Sequence, residues 1–223
     1  MTKEKYGEIM AYMDECMSDA AHDREHVLRV LGYAMTIAES EPSVDRDLLV
    51  TACLLHDIGR AAQFRDPSLD HAAVGADMAR DWLVSKGYPS EFADKVRTAI
   101  RSHRYRTGGR AESIEAQILF DADKLDVCGM MGLFRTVSYT AHVDRPYYTL
   151  NADGMVDFRA DAPESVMREY CYKLAHVADK MYTERAREMA KILADELRRA
   201  MEFAVGEVNS ALAGLRKVEN YLS

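Results

Sequence analysis

Residues 48–58, LLVTACLLHDI, run apolar from Leu48 to Leu55 and then end in an imidazole and a carboxylate. A helix that is apolar on nearly every side belongs at the centre of a protein, walled in by other elements. The pair that closes it, His56 and Asp57, is therefore expected in the interior. Burying an ionisable group costs several kcal/mol unless it is paired or coordinates an ion, so this pair needs a partner.

The rest of the chain supplies the walls. Residues 3–17 carry Ile9, Met10, Tyr12, Met13 and Cys16 at helical spacing. A helix over 24–40 shows Val27, Val30, Leu31, Ala34, Ile37 and Ala38 on one face, with Asp23 as its cap. The central helix spans about 45–58, with Gly59 as C-cap, and RAAQFRDPSLD reads as a loop. His71 opens a helix to Lys86, stopped by Gly87 and Pro89, and 90–102 form the next. RYRTGGRAE is a loop; a helix over 112–141 is weakened near Gly129 and Gly132. Residues 142–163, with two prolines and many turn formers, suggest a flap or short hairpin over the site. A helical tail covers 164–219, broken near Asp179 or Gly206. Strand alternation is nearly absent, so the fold reads as all-α, a helical bundle with a long C-terminal extension. The chain, 1–223, reads as a single domain with its core over about 20–138 and the 164–223 tail packing on it.

The net charge of −8 argues against a surface that coats a nucleic-acid polymer. It leaves room for a small nucleotide, because a bound cation supplies local positive charge. Cysteines 16, 53, 128 and 171 form no CxxC motif, the pattern of free thiols in a reducing cytoplasm. No window approaches the ~20 apolar residues of a spanning helix, so no membrane partner is expected.

Two more ionisable residues sit in apolar surroundings: His26 in EHVLRV and Asp123 in QILFDADKLD. With His56 and Asp57 they make a donor set suited to a divalent ion such as Mn, Fe, Zn, Ni or Co. Two imidazoles and two carboxylates leave positions open on a six-coordinate ion. A cation so held lowers the pKa of water and offsets phosphate charge. Asp121 and Asp126 read as capping or supporting residues of that site. A calcium loop is excluded for DADKLD, which lacks the turn glycine and the terminal glutamate.

The segments HVLRV, LLHDIGR and ILFDADKLD, with DHAAVGADMA and IRSHRYR in order between them, resemble the HD-domain phosphohydrolase superfamily over about residues 20–138. The likeness is greatest to its small stand-alone bacterial and archaeal hydrolases, some of them nucleotide pyrophosphohydrolases. KLAHVADKMYTERAREMA resembles the C-terminal helix of that subgroup. The resemblance implies that His26, His56, Asp57 and Asp123 bind the metal. It implies that His71 and His103 serve a second metal or act as general acid or base. It leaves the ion open among Mn, Fe, Ni, Co, Zn and Mg.

Basic residues beside these segments are candidates for phosphate contacts. Arg29 lies one turn after His26, Arg60 follows the HDIG turn, Arg104 follows His103 and Lys124 follows Asp123. The expected activity is metal-dependent hydrolysis of a phosphoester or phosphoanhydride in a small phosphorylated substrate, a nucleotide by preference. Nucleoside triphosphate pyrophosphohydrolysis is favoured; nucleoside monophosphatase and cyclic-nucleotide phosphodiesterase activities stay open. The rivals are a non-catalytic nucleotide-binding sensor and a helical interaction module whose long tail mediates a homodimer, although an enzyme could also be a homodimer. His22, His142 and His176 read as structural. Tyr147, Tyr148 and Phe158 either stack on a base or pin their loop.

Overall fold

The computed structural model describes residues 1–17, 24–104, 109–159 and 161–222, the side chains of 216, 219 and 220 excepted. Among them every regular element is helical, apart from one isolated antiparallel bridge between Leu150 and Val156. The expected cap Asp23 and His22 lie outside the described residues.

The first helices are α1 (Lys3–Met17), α2 (Arg24–Ala38) and α3 (Arg46–Leu55). Asp45 starts α3: its carboxylate accepts from the N–H groups of Asp47 and Leu48 at 3.0 and 3.1 Å. From Leu48 to Leu55 every residue but Val50 is buried, Thr51 among them. Each leucine so placed contributes about 1.5–3 kcal/mol. The expected central helix is thus present, and it packs against α1, α2, α5 (His71–Ser85) and α6 (Ser90–Ser102).

Two local expectations fail just after it. Gly59 is not a C-cap: α3 ends at Leu55, and Gly59 begins α4 (Arg60–Arg65) with ordinary right-handed angles. RAAQFR is therefore helical, not looped. Glycine is needed at 59 for space. A Cβ there would stand 2.2 Å from the His71 carbonyl oxygen and 2.6 Å from the Gly75 nitrogen. Glycines at 59 and 75 let the start of α5 close directly onto the turn that carries His56 and Asp57. Further on, Gly87, at φ 80°, ends the α5 segment as expected.

The chain divides into two compact units, Met1–Asp126 with Met181–Ala186, and Val127–Lys180 with Arg187–Ser223. The helix expected over 112–141 is α7 (Ile114–Cys128) and α8 (Met130–His142), separated at Gly129. In the first unit, buried Asp121 of α7 accepts from Tyr182 N, Thr183 N and Thr183 Oγ1 at 2.7–2.8 Å. These bonds tie residues 182–183 to α7.

The second unit contains α8, α9 (Val166–Tyr172), two 3₁₀ turns at Leu174–His176 and Ala178–Lys180, and α10 (Glu184–Leu222) from Arg187 on. Its core is Val156, Met167, Leu174, Leu197 and Met201. The tail breaks at residues 173–183, near the expected Asp179; α10 runs unbroken through Gly206. The expected hairpin over 142–163 reduces to a tight turn at Asn151–Gly154 closed by the Leu150–Val156 bridge. Tyr148 packs on the unit's core, whereas Tyr147 and Phe158 are exposed.

Candidate metal centre

Five elements of the first unit converge on one carboxylate. His26 comes from the first turn of α2, His56 and Asp57 from the turn after α3, and His71 from the first position of α5. His103 follows α6, and Asp123 lies within α7. Asp57 presents one oxygen to each side. Its Oδ2 is 3.6 Å from both His26 Nε2 and His56 Nε2. Its Oδ1 is 3.6 Å from His71 Nε2 and 3.8 Å from His103 Nε2. Asp123 Oδ1 joins the first side, 3.3 Å from His26 Nε2.

Each imidazole is held by its other nitrogen. His56 Nδ1 donates to the Cys53 carbonyl at 2.7 Å and His103 Nδ1 to the Ile100 carbonyl at 2.6 Å. A carbonyl only accepts, so the proton sits on Nδ1 and the lone pair on Nε2. Gln63 Nε2 donates to the Leu69 carbonyl at 3.0 Å, which turns Gln63 Oε1 toward His71 Nδ1 at 2.9 Å. His26 Nδ1 meets Asp126 Oδ2 at 2.7 Å. All four rings therefore aim Nε2 inward.

Those atoms form two groups, His26–His56–Asp123 and Asp57–His71–His103, each with its donor atoms within 4.8 Å of one another. Ligands about 2.1 Å from an ion lie about 3 Å apart when adjacent and about 4.2 Å when opposite, so donors within 4.8 Å of one another need only a small inward shift to share one ion. His56 Nε2 is buried and has no hydrogen-bond partner, a cost of about 1–3 kcal/mol unless a cation takes its lone pair. The donor set, the inward lone pairs and this orphaned nitrogen suit a divalent ion.

The electrostatics agree. Burial, then the charge of His56, pushes His103 down to about 3; burial, then Arg60, pushes His71 down to about 4. Burial also lowers His56. For Asp57, burial opposes ionisation, but the charges of His56, Arg60, His26 and His103 hold it well below the usual carboxylate range. Burial works against a proton on His26 as well, but hydrogen bonds to Asp123 and Asp126 carry it up to about 9 in the absence of metal.

The four basic residues are each paired with an acid. Arg29 holds Asp126, with Nε to Oδ1 at 2.6 Å and Nη2 to Oδ2 at 3.1 Å. Arg60 Nε is 3.1 Å from Asp57 Oδ1, and Lys124 Nζ is 2.7 Å from Asp123 Oδ2. Arg104 Nη1 is 3.4 Å from Asp70 Oδ2. Arg29 thus supports His26 through Asp126. Arg60 and Lys124 sit on carboxylates of the site itself. Sequence reading overlooked Gln63, which lay in the presumed loop; only its place on α4 reveals it. His142 and His176 belong to the second unit and are exposed.

Residues 24–128 match the family model described as the HD domain. A solved HD-superfamily hydrolase from Bacillus thuringiensis aligns with 93% of this chain and 98% of its own at TM-score 0.71 and 25% identity. The chain belongs to the HD superfamily. HD domains hold divalent metal ions, and the two groups around Asp57 are suited to that cofactor. The HD fold is that of metal-dependent phosphohydrolases in general. YpgQ of Bacillus subtilis is 28% identical over 190 residues, which are 82% of this chain and 84% of YpgQ. Its crystal structure in complex with ADP matches at TM-score 0.71 and 24% identity, covering 92% of this chain and 95% of YpgQ's. Among the described residues no helix is long and apolar enough to cross a membrane.

Proposed function

We propose that this HD protein hydrolyses nucleoside triphosphates to the monophosphate and pyrophosphate, with His26, His56, Asp57 and Asp123 holding a divalent cation. The observation that carries the reading is the convergence of four Nε2 atoms on the two oxygens of Asp57. A binding module has no need of such a donor set.

The bound cation supplies Lewis acidity, making water a better nucleophile near neutral pH and offsetting phosphate charge. The chain's own residues do the rest. Arg60, Arg104 and Lys124, each 24–31% exposed, bind phosphate oxygens by turning from the carboxylates that now hold them. Asp126 and Arg29 keep His26 aimed inward. His71 and His103 act as neutral ligands and not as acids, since their protons are committed on Nδ1 and Nε2 has none to give. The complex of YpgQ with ADP supports a nucleotide as the small ligand.

A panel of nucleoside mono-, di- and triphosphates and cyclic nucleotides, assayed with Mn²⁺, Co²⁺ and Ni²⁺, tests the proposal. Pyrophosphate release from triphosphates is the expected result. Orthophosphate from monophosphates, or opening of cyclic nucleotides, moves the activity to another class of phosphate ester. No turnover at full metal occupancy removes the enzyme reading.

A further inference from the structure

The two ligand groups around Asp57 are backed by different chemistry. In the His26–His56–Asp123 group His56 is backed by the neutral Cys53 carbonyl, but behind His26 stands a carboxylate, Asp126, which is itself held by Arg29 and accepts from His26 Nδ1 at 2.7 Å. An anion behind an imidazole makes its far nitrogen a stronger donor to metal. Among the described residues, the acceptors behind His71 and His103 are neutral. The Gln63 carboxamide takes His71 at 2.9 Å and the Ile100 carbonyl takes His103 at 2.6 Å.

The shared carboxylate is also divided unequally. Oδ2 faces His26 and His56, whereas Oδ1 faces His71 and His103 and is the oxygen that Arg60 Nε approaches to 3.1 Å. A cation entering on the His71 side must share its single carboxylate oxygen with a guanidinium. On the other side an ion has Asp123 Oδ1 in addition to Asp57 Oδ2.

We infer that the two groups load unequally, the His26–His56–Asp123 side binding a divalent ion tightly and the Asp57–His71–His103 side weakly, with Gln63 the positioning residue of the weak side. Gln63 suits the role because it is fixed at both ends: the Leu69 carbonyl takes its amide nitrogen, so its oxygen must face His71. Its neutrality keeps that side weak while its geometry keeps it available. The inference rests on the metal-site reading above and adds the order and the residue.

The test is a Mn²⁺ titration of the metal-stripped full chain, reading free Mn²⁺ by electron paramagnetic resonance up to millimolar concentration, with circular dichroism as the check on folding. Two classes of site are expected. Gln63→Leu weakens only the weak class, by about ten-fold or more, as expected for the loss of an outer hydrogen-bond partner. Arg60→Gln tightens only the weak class, and Asp126→Asn weakens only the tight one. Two equal classes, a single class throughout, or a Gln63→Leu chain with the wild-type weak class overturns the inference and leaves the first metal site standing. No Mn²⁺ binding of either class overturns the metal reading itself.

Discussion

Gly59→Ala separates space-filling from chemistry with one methyl group. The new Cβ would lie 2.2 Å from the His71 carbonyl oxygen and 2.6 Å from the Gly75 nitrogen, and real Cβ contacts do not fall below 3.0 Å. Both obstacles are backbone atoms, so no side chain can swing aside. The start of α5 has to retreat by about 0.8 Å, taking His71 with it. Overpacking of this kind costs about 1–3 kcal/mol. At about 2–4 °C per kcal/mol for a chain of this size, Tm falls by about 2–12 °C. His71 Nε2, now 3.6 Å from Asp57 Oδ1, loses its register, and a shift near 1 Å costs about 10²-fold in turnover. The control is Gly32→Ala, in the exposed interior of α2 with nothing within 4 Å of a new Cβ. There alanine gains about 0.8–1 kcal/mol of helix propensity, so Tm rises. Thermal melts and a Mn²⁺ titration read both variants. A Gly59→Ala protein that melts at or above the wild-type temperature with unaltered metal affinity refutes the close-approach reasoning.

Other outcomes follow from the same geometry. His56→Ala and Asp57→Ala are expected to lose metal, by elemental analysis, and turnover while keeping helical circular dichroism; retained turnover in either removes it from the site. Chelation should lower Tm, because an ion at 100 times its Kd stabilises the folded state by about 2.7 kcal/mol; a melt indifferent to chelator and to added Mn²⁺ contradicts a cation held by these buried groups. Asp121→Ala strips the acceptor from Tyr182 N, Thr183 N and Thr183 Oγ1, so amide exchange at 182 and 183 should accelerate, and unchanged protection there denies Asp121 its anchoring role. Asp45→Ala removes the cap of α3 and should cost about 1 kcal/mol in denaturant melts, with no change in metal affinity.

What could be read in the sequence was whatever depends on local pattern. The apolar run from Leu48 to Leu55 announced the central helix because nothing but burial explains it. His56 and Asp57 were conspicuous for the same reason, as ionisable groups at the end of that run. Asp126 is legible as a capping or supporting residue from its place in DADKLD beside Asp123. The failures cluster where the deciding contact is distant in the chain. In the sequence Gly59 reads as a helix terminator, a common use of glycine after an apolar helix. Its reason is instead the His71 carbonyl twelve residues on, which no local pattern contains. Once Gly59 is misread, RAAQFR loses its helix, and Gln63 loses its place beside His71.

The basic residues show a second kind of limit. Arg29, Arg60, Arg104 and Lys124 read as phosphate contacts because each adjoins a ligand segment, but a guanidinium or ammonium serves a carboxylate as readily as a phosphate. Proximity along the chain cannot divide the two roles; the acid each one meets can. Arg29 is one turn from His26 and reaches Asp126 with two nitrogens, a bidentate pair that fixes the acid holding His26. Arg60 reaches the Asp57 oxygen on the His71 side, so whatever draws Arg60 away also uncovers a donor for a cation. Substrate phosphate is such an anion. If a second ion uses that oxygen, as inferred above, phosphate binding by Arg60 and loading of that ion would be coupled through it, a relation that four separate residue labels could not express.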